Sequence, residues 1–217
     1  MQIDTIFFIL ILIMSVVIHE ISHGHVANIL GDPTARLAGR LTLNPRRHID
    51  FIGSILVPFF LIITHSPFLF GWAKPVPYNP YNLRNQKWGT VMVASAGVIA
   101  NFFIAIIFGL MIKFSGLSSA EILENPLMKM AVVIVGLNLL LGIFNLLPVP
   151  PLDGSRILFS LLPYRFQYIQ HFLERYWIAL ILFIFFIAGA IIIPLLSFFF
   201  SLITSHSLLL YIQAMPL

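Results

Sequence analysis

Apolar residues gather along the chain in five long stretches, at about 5–29, 51–70, 89–112, 130–147 and 177–210, the last interrupted by Pro194. Each approaches the roughly 20 residues that a helix needs to cross the hydrocarbon layer of a bilayer. The connections between them differ in character: 31–50 is polar and basic, and 71–88 is rich in Pro, Asn and Tyr. The segment 113–129 is short and mixed, and 148–176 opens with Pro148, Pro150 and Pro151. Trp72, Trp88, Tyr176 and Trp177 stand at the ends of apolar stretches, where amphipathic rings favour the headgroup level. The pattern predicts an all-α membrane protein, a polytopic bundle of about 4–6 transmembrane helices, with no internal repeat. It leaves open whether 177–210 is one kinked helix or two short ones.

Composition sharpens this reading. The 217 residues are 59% hydrophobic and only 9% charged, with a mean hydropathy of +1.00, whereas soluble domains carry about a quarter charged residues. The chain is therefore expected to form a single polytopic domain over 1–217. Its first apolar run lacks a basic leader and a small-residue cleavage site, so it is expected to be a retained helix. The net charge of +4 reads as a record of topology rather than of a nucleic-acid partner. Cys is absent, which leaves His, Asp and Glu as the side chains able to hold a metal.

Candidate chemistry begins inside the first apolar stretch, at His19-Glu20-Ile21-Ser22-His23. On a helix, positions i and i+4 share a face, so both imidazoles can reach one metal ion. The Glu beside them has the place of a general base. Ionisable groups in a spanning helix are costly to insert, so three within one and a half turns imply a purpose. A catalytic zinc takes three protein ligands, and carboxylates are scarce here: four Asp and four Glu. Asp4, Asp32, Asp50, Glu121, Glu124 and Glu174 occupy the terminus, loops or an Arg-flanked position. Asp153 follows the Pro-rich turn after the fourth stretch; alone it reads equally well as a helix N-cap, and beside the His pair it reads better as the third ligand.

These motifs, together with Ser95-Ala96-Gly97-Val98-Ile99-Ala100-Asn101 and Asn145…Pro148…Leu152-Asp153-Gly154, resemble the site-2 protease family of intramembrane zinc metalloproteases. Gly71-Trp72-Ala73-Lys74-Pro75-Val76-Pro77 and Gly31-Asp32-Pro33-Thr34 look like its compact bacterial members without a PDZ or CBS domain. One position departs, since Val98 stands where the family usually has Pro. The resemblance implies that His19, His23 and Asp153 bind Zn2+ and that Glu20 is the base. It implies a membrane-spanning protein as substrate and puts Asn145 near the substrate carbonyl, where it could donate to the oxyanion; its other reading is an interhelical contact. Asn101 is read as packing or substrate contact rather than chemistry. His25, His48, His65, His171 and His206 receive no role.

Three ligands can meet only if they reach one side of the bilayer. Were 51–70 a full span, the His pair and Asp153 would fall on opposite faces, and the basic residues would divide evenly. A re-entrant 51–70, which Pro58 and the Pro-rich 71–80 permit, places Arg36, Arg40, Arg46, Arg47, Lys74, Arg84, Lys87, Arg156, Arg165 and Arg175 together, against Lys113 and Lys129. That bias puts the site toward the cytoplasmic half of the cell membrane. The segment 71–83 could pair with an unwound substrate as an added strand, or be an interfacial loop anchored by Trp72, Tyr78 and Tyr81. A metal or proton transporter and a metal-stabilised scaffold are the rival functions. The absence of repeat symmetry weighs against the first, and the presence of Glu20 with all three ligands against the second.

Overall fold

The structure, a computed structural model, describes residues 3–64 and 71–214; His65 and the end of the second apolar stretch lie outside the described residues, as does the side chain of Pro58. Helix α1 runs Ile3–Ile29, and a four-residue helix α2, Thr34–Leu37, follows in the basic loop. The second stretch opens as a π-helical turn, Phe51–Leu56, and continues as α3, Val57–Ile63. An extended strap over 71–79 leads to α4, Gln86–Phe114. Next come α5, Ser119–Glu124, and α6, Pro126–Asn145; then α7, Asp153–Leu161, and α8, Gln167–Arg175. The chain closes with α9, Trp177–Thr204, and α10, Leu209–Ala214. Among the described residues there is no strand.

The helix boundaries follow from side chains that satisfy the first free N–H groups. Asn85 accepts from the N–H of Trp88 to start α4. Ser118 and Glu121 form a reciprocal capping box at α5, and Asn125 with Pro126 opens α6. The final stretch is one helix with Pro194 inside it, ended by Ser205 at φ 63°. Proline removes one helical hydrogen bond, and a helix in lipid keeps the remaining ones because no water can replace them.

Helix α6 lies at the centre. Ala131, Val132, Val135, Leu137, Leu139 and Ile143 are buried around it, as expected of a helix apolar on every side. It packs against α1, α4 and α9. Helices α4 and α9 instead show one large apolar face outward, including Ile99, Phe103, Ile106, Leu182, Phe186 and Phe198. Such a surface suits a lipid solvent, and 6–29, 86–114 and 126–145 are long and apolar enough to cross it.

The two ends of the second stretch are tied together by hydrogen bonds. The N–H of Trp72 donates to the carbonyl of Gly53 at 3.1 Å, and the Ser54 hydroxyl donates to the carbonyl of Trp72 at 2.8 Å. The segment therefore returns to the point it left, as a re-entrant element must. Gly53 makes this closure possible, because a Cβ there would collide with the Trp72 indole.

Candidate metal centre

The His pair sits in the C-terminal half of α1, facing α4, and both imidazoles are buried. Each ring is fixed by the nitrogen that points away from its partner. Nδ1 of His23 donates to the carbonyl of Val93 at 2.6 Å, and Nδ1 of His19 donates to Oδ1 of Asn101 at 3.1 Å. A neutral imidazole that donates through Nδ1 presents a lone pair at Nε2. The two Nε2 atoms lie 3.0 Å apart, and Oδ2 of Asp153 lies 3.0 Å from one and 3.2 Å from the other. Three acceptors thus converge with no proton among them.

That arrangement calls for a cation. Nitrogen and oxygen ligands at about 2.0–2.1 Å in a tetrahedral zinc site stand about 3.3 Å from one another, close to the triangle seen here. The supporting partners, a backbone carbonyl and a buried amide, are the kind that hold metal-ligating imidazoles in one tautomer.

Two glycines admit the other elements to the site. A Cβ on Gly97 would lie 2.5 Å from Nε2 of His23 and 2.6 Å from Cε1 of His19, so α4 meets the imidazoles only because this position has no side chain. Gly154 backs onto the carbonyl of Leu146, where a Cβ would have no room. Asp153 is the first residue of α7, but Leu152 occupies the cap position and makes no side-chain cap hydrogen bond. The carboxylate is turned to the imidazoles instead, which answers the N-cap alternative.

Glu20, partly buried, lies on another face of α1 and meets the strap: its Oε2 accepts from the N–H of Val76 at 2.8 Å. Gly24, one turn later, leaves room for Val76, whose Cγ1 would be 2.8 Å from a Cβ there. Asn101 is fully buried behind His19, and its Nδ2 has no partner among the described residues. Asn145 ends α6 and spends one amide hydrogen on the carbonyl of Leu141 at 2.9 Å, keeping the second. His48 is buried against the carbonyl of Thr42, and His206 meets Ser119 at 3.1 Å; neither joins the site. His25 is exposed and His171 lies on α8 near Glu174.

Val93, Val76 and Arg40 escaped the reading of the sequence. The first two act through backbone groups, which carry no residue signature. The guanidinium of Arg40 is buried against the carbonyls of Lys74 and Pro75 at 2.7 and 3.2 Å. A usable signal was present in Pro75-Val76-Pro77, where a single N–H stands between two residues that have none.

The chain is 38% identical over 160 residues to "Putative zinc metalloprotease YwhC" of Bacillus subtilis (strain 168), covering 72% of this chain and 69% of that one. Residues 110–189 match Peptidase family M50, the site-2 protease family. The chain belongs to this family. A second relative, "Putative zinc metalloprotease" of Thermotoga maritima, is 32% identical over 110 residues, 48% of this chain and 22% of that protein. No solved structure matches. An M50 chain is a membrane-associated zinc metalloprotease, and Zn2+ is its cofactor. The donor set of His19, His23 and Asp153 suits that ion on chemical grounds of its own.

Proposed function

We propose that the chain is an intramembrane zinc metalloprotease that hydrolyses peptide bonds within or near transmembrane segments of membrane proteins. The observation that carries this reading is the convergence of three buried lone pairs from His19, His23 and Asp153 beside Glu20, inside a bundle with a lipid-facing exterior. These three residues would hold the zinc, whose Lewis acidity makes water a nucleophile near neutral pH. Glu20 takes the proton from the attacking water and delivers it to the leaving amine. Asn145, with one amide hydrogen free, stabilises the developing oxyanion, a contribution of a few kcal/mol where water is excluded. Asn101 orients His19 from behind.

The strap offers an unwound substrate a rigid extended edge to pair with, broken by its prolines. The basic loops share one end of the bundle, which supports a site toward the cytoplasmic half.

Zinc content of the purified protein in detergent tests the centre. Wild type is expected to hold one zinc per chain, Asp153→Ala none, and Glu20→Gln one zinc without cleavage of a transmembrane peptide. Zinc unaffected by Asp153→Ala would overturn the ligand set, and full activity of Glu20→Gln would overturn the base.

A further inference from the structure

Arg40 is buried, yet nothing in the metal centre touches it. A buried guanidinium is costly unless its hydrogens are satisfied, and an apolar residue could have filled the same space. What Arg40 does is clamp two successive backbone carbonyls: Nη2 donates to Lys74 at 2.7 Å and to Pro75 at 3.2 Å. The next peptide unit carries the N–H of Val76, which donates to Oε2 of Glu20 at 2.8 Å. Prolines flank that N–H on both sides. Their rings fix φ and hold residues before them extended, so Pro75–Pro77 is a stiff rod whose one donor is the Val76 N–H.

We propose that Arg40 is a positioning residue for the general base: by clamping Lys74 and Pro75 it holds the Val76 N–H on Oε2 of Glu20, which fixes the carboxylate and leaves its other oxygen to receive the proton from water. This rests on the assignment of Glu20 as base. The strap has independent anchors on either side of the clamp. Upstream, the N–H of Lys74 donates to the carbonyl of His48 at 2.8 Å. Downstream, buried Asp32 accepts from the N–H of Asn79 at 2.6 Å and from the Asn82 amide at 2.9 Å. Loss of Arg40 therefore frees the middle of the strap without releasing its ends. A carboxylate that can swing away from its working orientation costs rate rather than affinity, because geometry at the reacting centre is what catalysis uses.

The test combines kinetics with amide exchange on the zinc-loaded protein. The probe is a dye-and-quencher-labelled transmembrane peptide that wild type cleaves. Arg40→Ala is expected to lower kcat by about 10- to 100-fold, with zinc content and KM unchanged, and Arg40→Lys to recover part of the loss. Hydrogen exchange at Val76, isolated by its two prolines, should be slow in wild type and at least about tenfold faster in Arg40→Ala and in Glu20→Ala. Arg36→Ala, an exposed arginine on α2, serves as the control with unchanged kcat. Val76→Pro removes the donor while suiting an extended strap, and should reproduce the loss of kcat; it decides the matter if Arg40→Ala fails to fold. An inactive Glu20→Gln alongside wild-type kcat and unchanged Val76 exchange in Arg40→Ala, or wild-type kcat in Val76→Pro, overturns the clamp. An active Glu20→Gln overturns the base assignment beneath it.

Discussion

Gly97 and Asn101 lie one turn apart on α4 and meet the same imidazole, one through space it leaves empty and the other through a hydrogen bond. Gly97→Ala would place a methyl group against both rings. Overpacking a tight contact costs about 1–3 kcal/mol, and here the groups that must give way are the proposed ligands. The expected outcome is loss of zinc with the helices intact, read by metal analysis beside circular dichroism. Asn101→Ala removes the acceptor that fixes Nδ1 of His19, so zinc affinity should fall on the order of 10–100-fold, read by competition with a chelator. The sequence displayed the His pair because both residues lie on one helix at a fixed spacing, and Asp153 because carboxylates are few in so apolar a chain. It could not display Asn101 as a partner of His19, since the two are 82 positions apart and an Asn in a membrane helix has many possible partners. What packs against Gly97 was not legible, because the imidazoles it meets belong to a distant stretch of the chain.

Asp32 ties the end of the strap and the turn that follows it to the loop after α1. This carboxylate, fully buried just beyond α1, accepts from Thr34, Asn79 and Asn82. Burial opposes its charge, but the hydrogen bonds from Thr34, Asn82 and Asn79 prevail and hold its pKa below the usual aspartate value. A lowered folded pKa means that its stabilisation is complete above the unfolded value, about 4, and is lost as pH falls through the folded value. Asp32→Asn would turn an amide N–H₂ toward at least one of these donors, a loss of about 1–3 kcal/mol. Thermal unfolding across pH 2 to 6 should show a lower Tm for the variant at pH 6 and a difference that narrows toward pH 2. Among the described residues, the apolar stretches read as helices in the sequence are helical over most of their length, because a long apolar run is local information. Pro194 was ambiguous because proline ends helices in water and only bends them in lipid. The strap was visible as extended, but its contact with Glu20 depends on Arg40, Asp32 and Gly24, three residues from separate segments.

The hydrogen bonds between loops divide the molecule into two ends. Arg40 with Lys74, Asp32 with Asn79, and the Arg156 guanidinium over the Tyr78 ring at 5.7 Å join 31–50, 71–85 and α7 at one end. Ser119 with His206 joins the 113–125 connection to the segment after α9 at the other. If 51–70 is re-entrant, ten of the twelve basic residues belong to the first end and Lys113 and Lys129 to the second. The absence of Cys makes this directly measurable with single-cysteine variants in sealed, right-side-out vesicles. A membrane-impermeant maleimide should leave cysteines at Arg47, Lys87 and Arg165 unlabelled until the vesicles are opened, and should label those at Gly116 and Asn125 at once. Labelling of Arg47 and Lys87 from opposite sides would mean that the second stretch crosses the bilayer. It would also separate the His pair from Asp153, so the same experiment bears on whether the three ligands share an end of the molecule in the membrane.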